Sequence, residues 1–142
     1  EKIKKYPNIE LQLADGENLP FPENTFDAVS ISFGIRNFEN ATAGLADMRR
    51  VLKPNGKLFV LEFSKPTNWL FKKIYYFYFC YVLPFVGKLV SKDARAYSYL
   101  PESVRIFPDG KKFVELLQYA GYKNIVCKPL TFGISTIYIA EK

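Results

Sequence analysis

The sequence predicts an α/β fold, a largely parallel sheet with helices on its faces, and three observations carry the prediction. Residues 26–33 alternate Val29, Ile31 and Phe33 with small residues, as a strand with one packed face does. Residues 41–53 then repeat Leu45, Met48, Val51 and Leu52 at helical spacing. Residues 57–63 form a nearly continuous apolar run, the pattern of a strand buried on both faces. Strand, helix and strand in that order make a right-handed crossover between parallel strands.

The 142 residues, 49% hydrophobic and 24% charged, suffice for one domain and are too apolar for a disordered chain. Proline and glycine are scattered singly, so neither a linker nor a repeat is visible. Residues 1–6 read as the polar end of a helix that began earlier, with no apolar leader. Ile9, Leu11 and Leu13 alternate with polar residues as in a short strand, which Ala14-Asp15-Gly16 ends with turn chemistry. Pro20 and Pro22 forbid regular pairing in the loop that follows. Asn40 is placed to cap the helix over 41–53, and Pro54-Asn55-Gly56 to stop it.

From Trp69 to Val90 the chain becomes strongly aromatic, interrupted by Lys72, Lys73 and Lys88. Its uncharged part, 74–87, is too short to span a bilayer, which takes about 20 apolar residues, and Pro84 interrupts it. At least half of these aromatic residues are expected to face the core. A helix over 101–106 and another capped by Asp109, with Phe113, Leu116, Leu117 and Ala120 inward, precede two strands at 124–128 and 136–140, read as a hairpin closing the sheet.

Composition excludes some chemistry. Histidine is absent, which removes the commonest general base and zinc ligand and most hydrolase triads. Cys80 and Cys127 lie far apart in apolar runs, without metal-ligand spacing, and read as buried thiols. The net charge of +6 suits a nucleic acid, an anionic membrane surface or a phosphorylated compound equally well.

Three short signals converge on the C-terminal ends of the strands, where open α/β sheets bind ligands. The acid of Ala14-Asp15-Gly16 can accept from an exocyclic amine such as that of adenine; alone, it is also an ordinary turn former held by its own backbone. In Ser32-Phe33-Gly34-Ile35-Arg36-Asn37, a hydroxyl, a guanidinium and an amide stand beside an apolar wall, an arrangement suited to a cofactor and an aromatic hydroxyl together. The alternative there is a plain strand-to-helix connection with Arg36 in a surface ion pair. Leu61-Glu62-Phe63-Ser64-Lys65-Pro66 ends the next strand beside the same crevice.

Together these stretches, with Asp15-Gly16-Glu17-Asn18-Leu19-Pro20-Phe21-Pro22, Arg50-Val51-Leu52-Lys53-Pro54-Asn55-Gly56, Leu83-Pro84, Gly87-Lys88-Leu89-Val90 and Glu102-Ser103-Val104-Arg105, resemble the ubiquinone/menaquinone biosynthesis C-methyltransferase family in order and spacing. The resemblance covers nearly the whole chain. It implies a class I S-adenosylmethionine-dependent methyltransferase, a Rossmann-like sheet of strand order 3-2-1-4-5-7-6 with the last strand antiparallel. Residues 1–142 would be the C-terminal part of that single domain, strands 3 to 7, with 66–108 a substrate-side aromatic insertion. The family's glycine-rich cofactor loop and its ribose-binding acid have no counterpart in this sequence, so half of the cofactor site, and no activity of the fragment alone, is expected.

By the same resemblance, Asp15 and Gly16 would contact the adenine and Ser32 the methionine part of S-adenosylmethionine. Arg36 would stabilise the phenolate of a polyprenylated hydroquinone while Asn37 orients the ring. The expected partners are that quinone precursor and, peripherally, a membrane, with no metal and no nucleic acid; the expected location is cytoplasmic or membrane-peripheral. The stretch 9–13 would lack a neighbouring strand, leaving it mobile or paired in a homodimer, for which the aromatic segment is a second route. The rival readings are a methyltransferase for another small lipophilic substrate, opposed by Phe33-Gly34-Ile35-Arg36-Asn37, and a non-catalytic binding or assembly module.

Overall fold

Alternation of apolar and small side chains makes β1 (Phe26–Ser32), with Val29 and Ile31 turned inward. The computed structural model describes residues 7–82, 85 and 94–142. The expected helix end at 1–6, the Pro84 and Lys88 part of the aromatic segment and the side chain of Cys80 lie outside the described residues.

The Asn40 side chain accepts from Ala43 N at 3.0 Å and so starts α1 (Ala41–Val51) as expected. Gly44, Leu45, Met48 and Val51 are its buried face. The helix ends two residues before its expected stop because Leu52 is already extended and pairs with Phe26. Pro54-Asn55-Gly56 then loop out, with Asn55 at φ 62°, and pairing resumes at Ala28 and Lys57. β2 (Leu52–Phe63) runs parallel to β1, as the crossover requires.

After β2 the aromatic segment forms α2 (Trp69–Phe77), capped by the Asn68 side chain, and a π-helical turn at Tyr78–Val82. Of its described side chains only Tyr75 is buried, whereas Trp69, Leu70, Phe71, Ile74, Phe77, Tyr78 and Tyr81 are exposed. The expectation that at least half would face the core is corrected. Apolar character here marks a surface, not a core face.

The next helix, α3 (Ala94–Ile106), begins upstream of its expected start and runs through Pro101. Asp109 does not cap α4 (Lys111–Tyr119); Gly110 does, at φ 61° and ψ −126°, without a side-chain bond. The Asp109 carboxylate instead binds Lys65 at both its backbone N, 2.7 Å, and its Nζ, 2.8 Å. The hairpin of β3 (Lys123–Leu130) and β4 (Ser135–Glu141) closes the sheet as expected, giving the order β1-β2-β4-β3 with β4 antiparallel to both neighbours.

The core lies between one sheet face and helices α1 and α4. Leu58, Val60, Tyr138 and Ala140 meet Leu45, Met48, Phe113 and Leu117, and the rings of Phe113 and Tyr138 sit 4.6 Å apart. On β2 only alternate residues are buried, Phe59 and Leu61 being half-exposed, so burial of both faces is corrected. Cys127 is exposed, which corrects the buried reading of that thiol.

Residues 9–13 form no strand. Ile9, Leu11 and Leu13 are exposed and pair with nothing among the described residues, which corrects the expected strand. The loop after them is fastened to α1. The Asp47 carboxylate accepts from Leu19 N at 2.6 Å and from Arg50 Nε at 2.6 Å, while Arg50 donates to the carbonyls of Leu19 and Phe21.

The Arg50 guanidinium and the Leu19 N–H hold the Asp47 carboxyl below the usual carboxylate range. A carboxyl depressed on folding stabilises the fold above its unfolded value near about 4, and the contribution fades as pH falls through the lower folded value. Asp47→Asn should therefore cost about 1 kcal/mol at pH 7, the partial exposure of Arg50 screening the ionic part. Urea midpoints of the two proteins should converge below about pH 4; a gap that persists into acid would assign the loss to the hydrogen bonds alone.

Candidate active site

The C-terminal ends of the two parallel strands form the site. Ser32, the last residue of β1, is exposed there and pairs with Leu61. Phe33 follows at φ 53°, a left-handed conformation that costs a bulky side chain on the order of 1 kcal/mol. Its N–H donates to Leu61 O at 2.8 Å, and its ring lies 4.6 Å from that of Phe63. The turn at Phe33 redirects the chain into a short 3-10 helix, Ile35–Asn37, anchored by the buried Ile35.

Arg36 is not the surface ion-pair residue of the simplest reading. Its Nη1 donates to Glu62 Oε1 at 2.8 Å and to Phe33 O at 2.5 Å, and its Nε to Ser103 Oγ at 3.3 Å. The guanidinium carbon stands 5.3 Å from the centre of the Phe63 ring. The Arg36 side chain is 10% exposed and that of Glu62 0%. Asn37 is exposed, and its Oδ1 accepts from Tyr99 Oη at 2.9 Å. Helix α3 thus touches both predicted catalytic residues.

Between the turn and α3 lies a cleft of about 330 Å³ bordered by Ile35, Arg36, Phe38, Tyr99, Glu102 and Ser103. Asp15, Gly16, Ser32 and Asn37 are not among its described lining. Asp15 and Gly16 reach this region from the other side. The Gly16 Cα faces the Phe38 ring so closely that an added Cβ would lie 2.5 Å from it, and the Glu17 carboxylate accepts from Asn40 N at 3.1 Å. Asp15 Oδ1 accepts from Glu17 N at 2.9 Å, the turn-forming arrangement.

The donor set fits part of an adenosyl cofactor. The Asp15 carboxylate is exposed and uses only Oδ1 within the described residues, leaving Oδ2 for an exocyclic amine. Ser32 presents an exposed hydroxyl. The space at Gly16 is filled by Phe38, so a side chain there would collide with that ring.

The sequence alone gives site roles to Arg36 and Asn37 but none to Ser103, Tyr99 or Glu62. One signal was present: a carboxylate at an inward position of an apolar strand demands a partner. A second groove, about 600 Å³, is lined by Trp69, Lys72, Lys73, Tyr76, Phe77 and Tyr81.

The chain shares its fold with solved S-adenosylmethionine-dependent methyltransferases. It covers 99% of itself and 68% of a SAM-dependent methyltransferase from Thermotoga maritima at a TM-score of 0.65 and 16% identity. It matches a SAM-dependent methyltransferase from Aquifex aeolicus at 0.64 and 17%, over 99% of this chain and 59% of that one. At such identities the likeness is one of fold alone, and the [4+2]-cyclase SpnF shares it at 0.63.

Sequence then narrows the class: the chain belongs to the ubiE/COQ5 methyltransferase family, whose model matches residues 1–142. It is 48% identical to the ubiquinone/menaquinone biosynthesis C-methyltransferase UbiE of Geobacter sulfurreducens over 94% of this chain and 52% of that protein. It is 45% identical to the demethylmenaquinone methyltransferase of Corynebacterium kroppenstedtii over 99% and 62%. The chain thus spans between half and two thirds of the length of these relatives.

Proposed function

We propose that this chain forms part of an S-adenosylmethionine-dependent C-methyltransferase that methylates the ring of a polyprenylated hydroquinone in ubiquinone or menaquinone biosynthesis. The observation that carries the reading is 45–48% identity, over nearly all of the chain, to proteins named for that reaction. When bound, S-adenosylmethionine supplies an electrophilic methyl group. Asp15 and Ser32 are the residues of this chain suited to hold it, with Gly16 letting the loop pack beside Phe38.

Arg36 favours the phenolate form of the acceptor, which makes the adjacent ring carbon nucleophilic, because a fixed cation near the oxygen stabilises the charge that develops there. Asn37 orients the ring through its amide. The proton displaced from the ring carbon leaves to water. Incubation of the full-length protein with methyl-labelled S-adenosylmethionine and a short-tailed demethylated quinol should transfer label to the ring. Label in no quinol, with cofactor binding intact by calorimetry, would leave the binding-module reading.

The aromatic surface supports peripheral membrane contact as part of this proposal. From Phe63 through Lys92 the sequence carries Lys65, Lys72, Lys73, Lys88 and Lys92 and no acid. On α2, Trp69 is 67% and Phe77 61% exposed beside Lys72 and Lys73, and Lys73 Nζ lies 4.9 Å from the Trp69 ring centre. Apolar rings flanked only by cations match an anionic bilayer surface. No helix among the described residues is long and apolar enough to cross a membrane. The protein should cosediment with vesicles containing anionic lipid, and Lys72→Gln with Lys73→Gln should weaken partitioning roughly 30-fold, at about 1 kcal/mol per cation. Failure to sediment, with a dimer in light scattering, would assign the face to a second copy instead.

A further inference from the structure

We propose that Glu62 and Ser103 are positioning residues that fix the Arg36 guanidinium in one orientation, so that only its Nη2 donors are offered to an oxygen in the cleft. The inference deepens the methyl-transfer reading and rests on it. Glu62 occupies the same face of β2 as Leu58 and Val60, which line the core. A carboxylate in such a place is costly unless it is paired and bonded. Both of its oxygens are engaged: Oε1 accepts from Arg36 Nη1 at 2.8 Å and from Phe63 N at 2.9 Å, and Oε2 from Arg36 N at 3.4 Å. Glu62 therefore grips both the side chain and the backbone of the same residue.

The inventory of donors gives the rest. A guanidinium has five N–H groups in a rigid plane. The two on Nη1 go to Glu62 and Phe33 O, and the one on Nε goes to Ser103 Oγ, which itself donates to Leu100 O. These acceptors lie on the end of β2, the end of β1 and helix α3, so rotation of the guanidinium would break contacts with three elements at once. The ring of Phe63 closes one face. The two hydrogens of Nη2 have no protein acceptor among the described residues, and Arg36 borders the cleft.

A buried ion pair is a poor device for stability alone, since apolar residues of similar volume serve as well. It is a good device for orientation. A free arginine would spend much of its time pointing elsewhere, and a displacement of about 1 Å costs on the order of 100-fold in rate. The bond from Nε to Ser103 also ties this orientation to the docking of α3.

The test uses the full-length protein with Glu62→Gln, which keeps shape and one acceptor but gives up the charge, and Ser103→Ala. In Glu62→Gln, kcat should fall about 100-fold while the KM for S-adenosylmethionine stays within about twofold. In Ser103→Ala, kcat should fall about tenfold. Arginine side-chain NMR supplies a readout independent of turnover: the Arg36 Nε–H should exchange slowly in the wild type and at least about tenfold faster in either variant. Wild-type kcat in Glu62→Gln, equal losses in kcat and cofactor affinity, or an Nε–H in the wild type that exchanges like those of exposed arginines would each overturn the proposal. Should Glu62→Gln not fold, Ser103→Ala carries the same test. A wild type without methyl transfer to quinols refutes the functional reading, while the exchange measurement still decides the positioning.

Discussion

Replacing Arg36 by alanine in the full-length protein is expected to lower kcat by about 100- to 1000-fold while the affinity for S-adenosylmethionine changes by less than about threefold. The asymmetry follows from the proposed action of the guanidinium at the acceptor's oxygen. A phenolic oxygen carries its greatest negative charge on the way to methyl transfer, so a cation at that oxygen stabilises the transition state more than the bound ground state. In the proposed site the cofactor is held by other groups, Asp15 and Ser32 among them, which Arg36 does not touch among the described contacts. Arg36→Lys should fall between the two, because a lysine keeps the charge but cannot bond Glu62, Phe33 O and Ser103 in one plane. Steady-state kinetics and calorimetry, run below the melting temperature of the variant, separate the outcomes. Parallel losses in kcat and cofactor affinity would make Arg36 a structural residue.

What could be read in the sequence was what periodicity dictates. The strand at 26–33, the crossover helix, the strand at 57–63 and the final hairpin each carry a local pattern that survives packing. The stretch 9–13 has a strand's alternation too, but a strand exists only where a neighbour supplies hydrogen bonds, and none pairs with it among the described residues. The sequence places this helix at 101–106; it begins upstream at Ala94, runs through Pro101 and meets the Ile35–Asn37 turn through Ser103. The same local logic named Asp109 a cap. Tertiary structure gave its carboxylate to Lys65, and a glycine with positive φ took the cap position.

The candidate site shows a similar division. Arg36 and Asn37 were legible as polar groups leaving a strand end beside apolar residues. Their partners were not, because Glu62, Tyr99 and Ser103 lie 26, 62 and 67 residues away in sequence and no spacing rule connects them. The aromatic segment was misread for a different reason. Hydrophobicity signals burial only on average, and α2 turns its rings outward with lysines between them, an inversion that composition cannot distinguish from a core helix.

The largest stability effect is expected at Glu62. Glu62→Ala leaves the Arg36 guanidinium, 10% exposed, facing an empty pocket in place of its counter-charge, and should destabilise the fold by about 3–5 kcal/mol. Arg36→Ala leaves the converse, a carboxylate with 0% exposure and no cation, and should cost a similar amount. Replacing both at once, Arg36→Met with Glu62→Leu, removes both charges from the low-dielectric interior and fills the volume, so the double variant should return to within about 2 kcal/mol of the wild type. Urea unfolding of the wild type, Arg36→Met, Glu62→Leu and the double variant closes the cycle, and a coupling energy near zero would mean that the two groups do not depend on each other. The double variant should still be inactive, because the cation at the cleft is gone. Recovery of stability without recovery of turnover is the signature of a pair retained for orientation and charge; recovery of both would remove Arg36 from the chemistry.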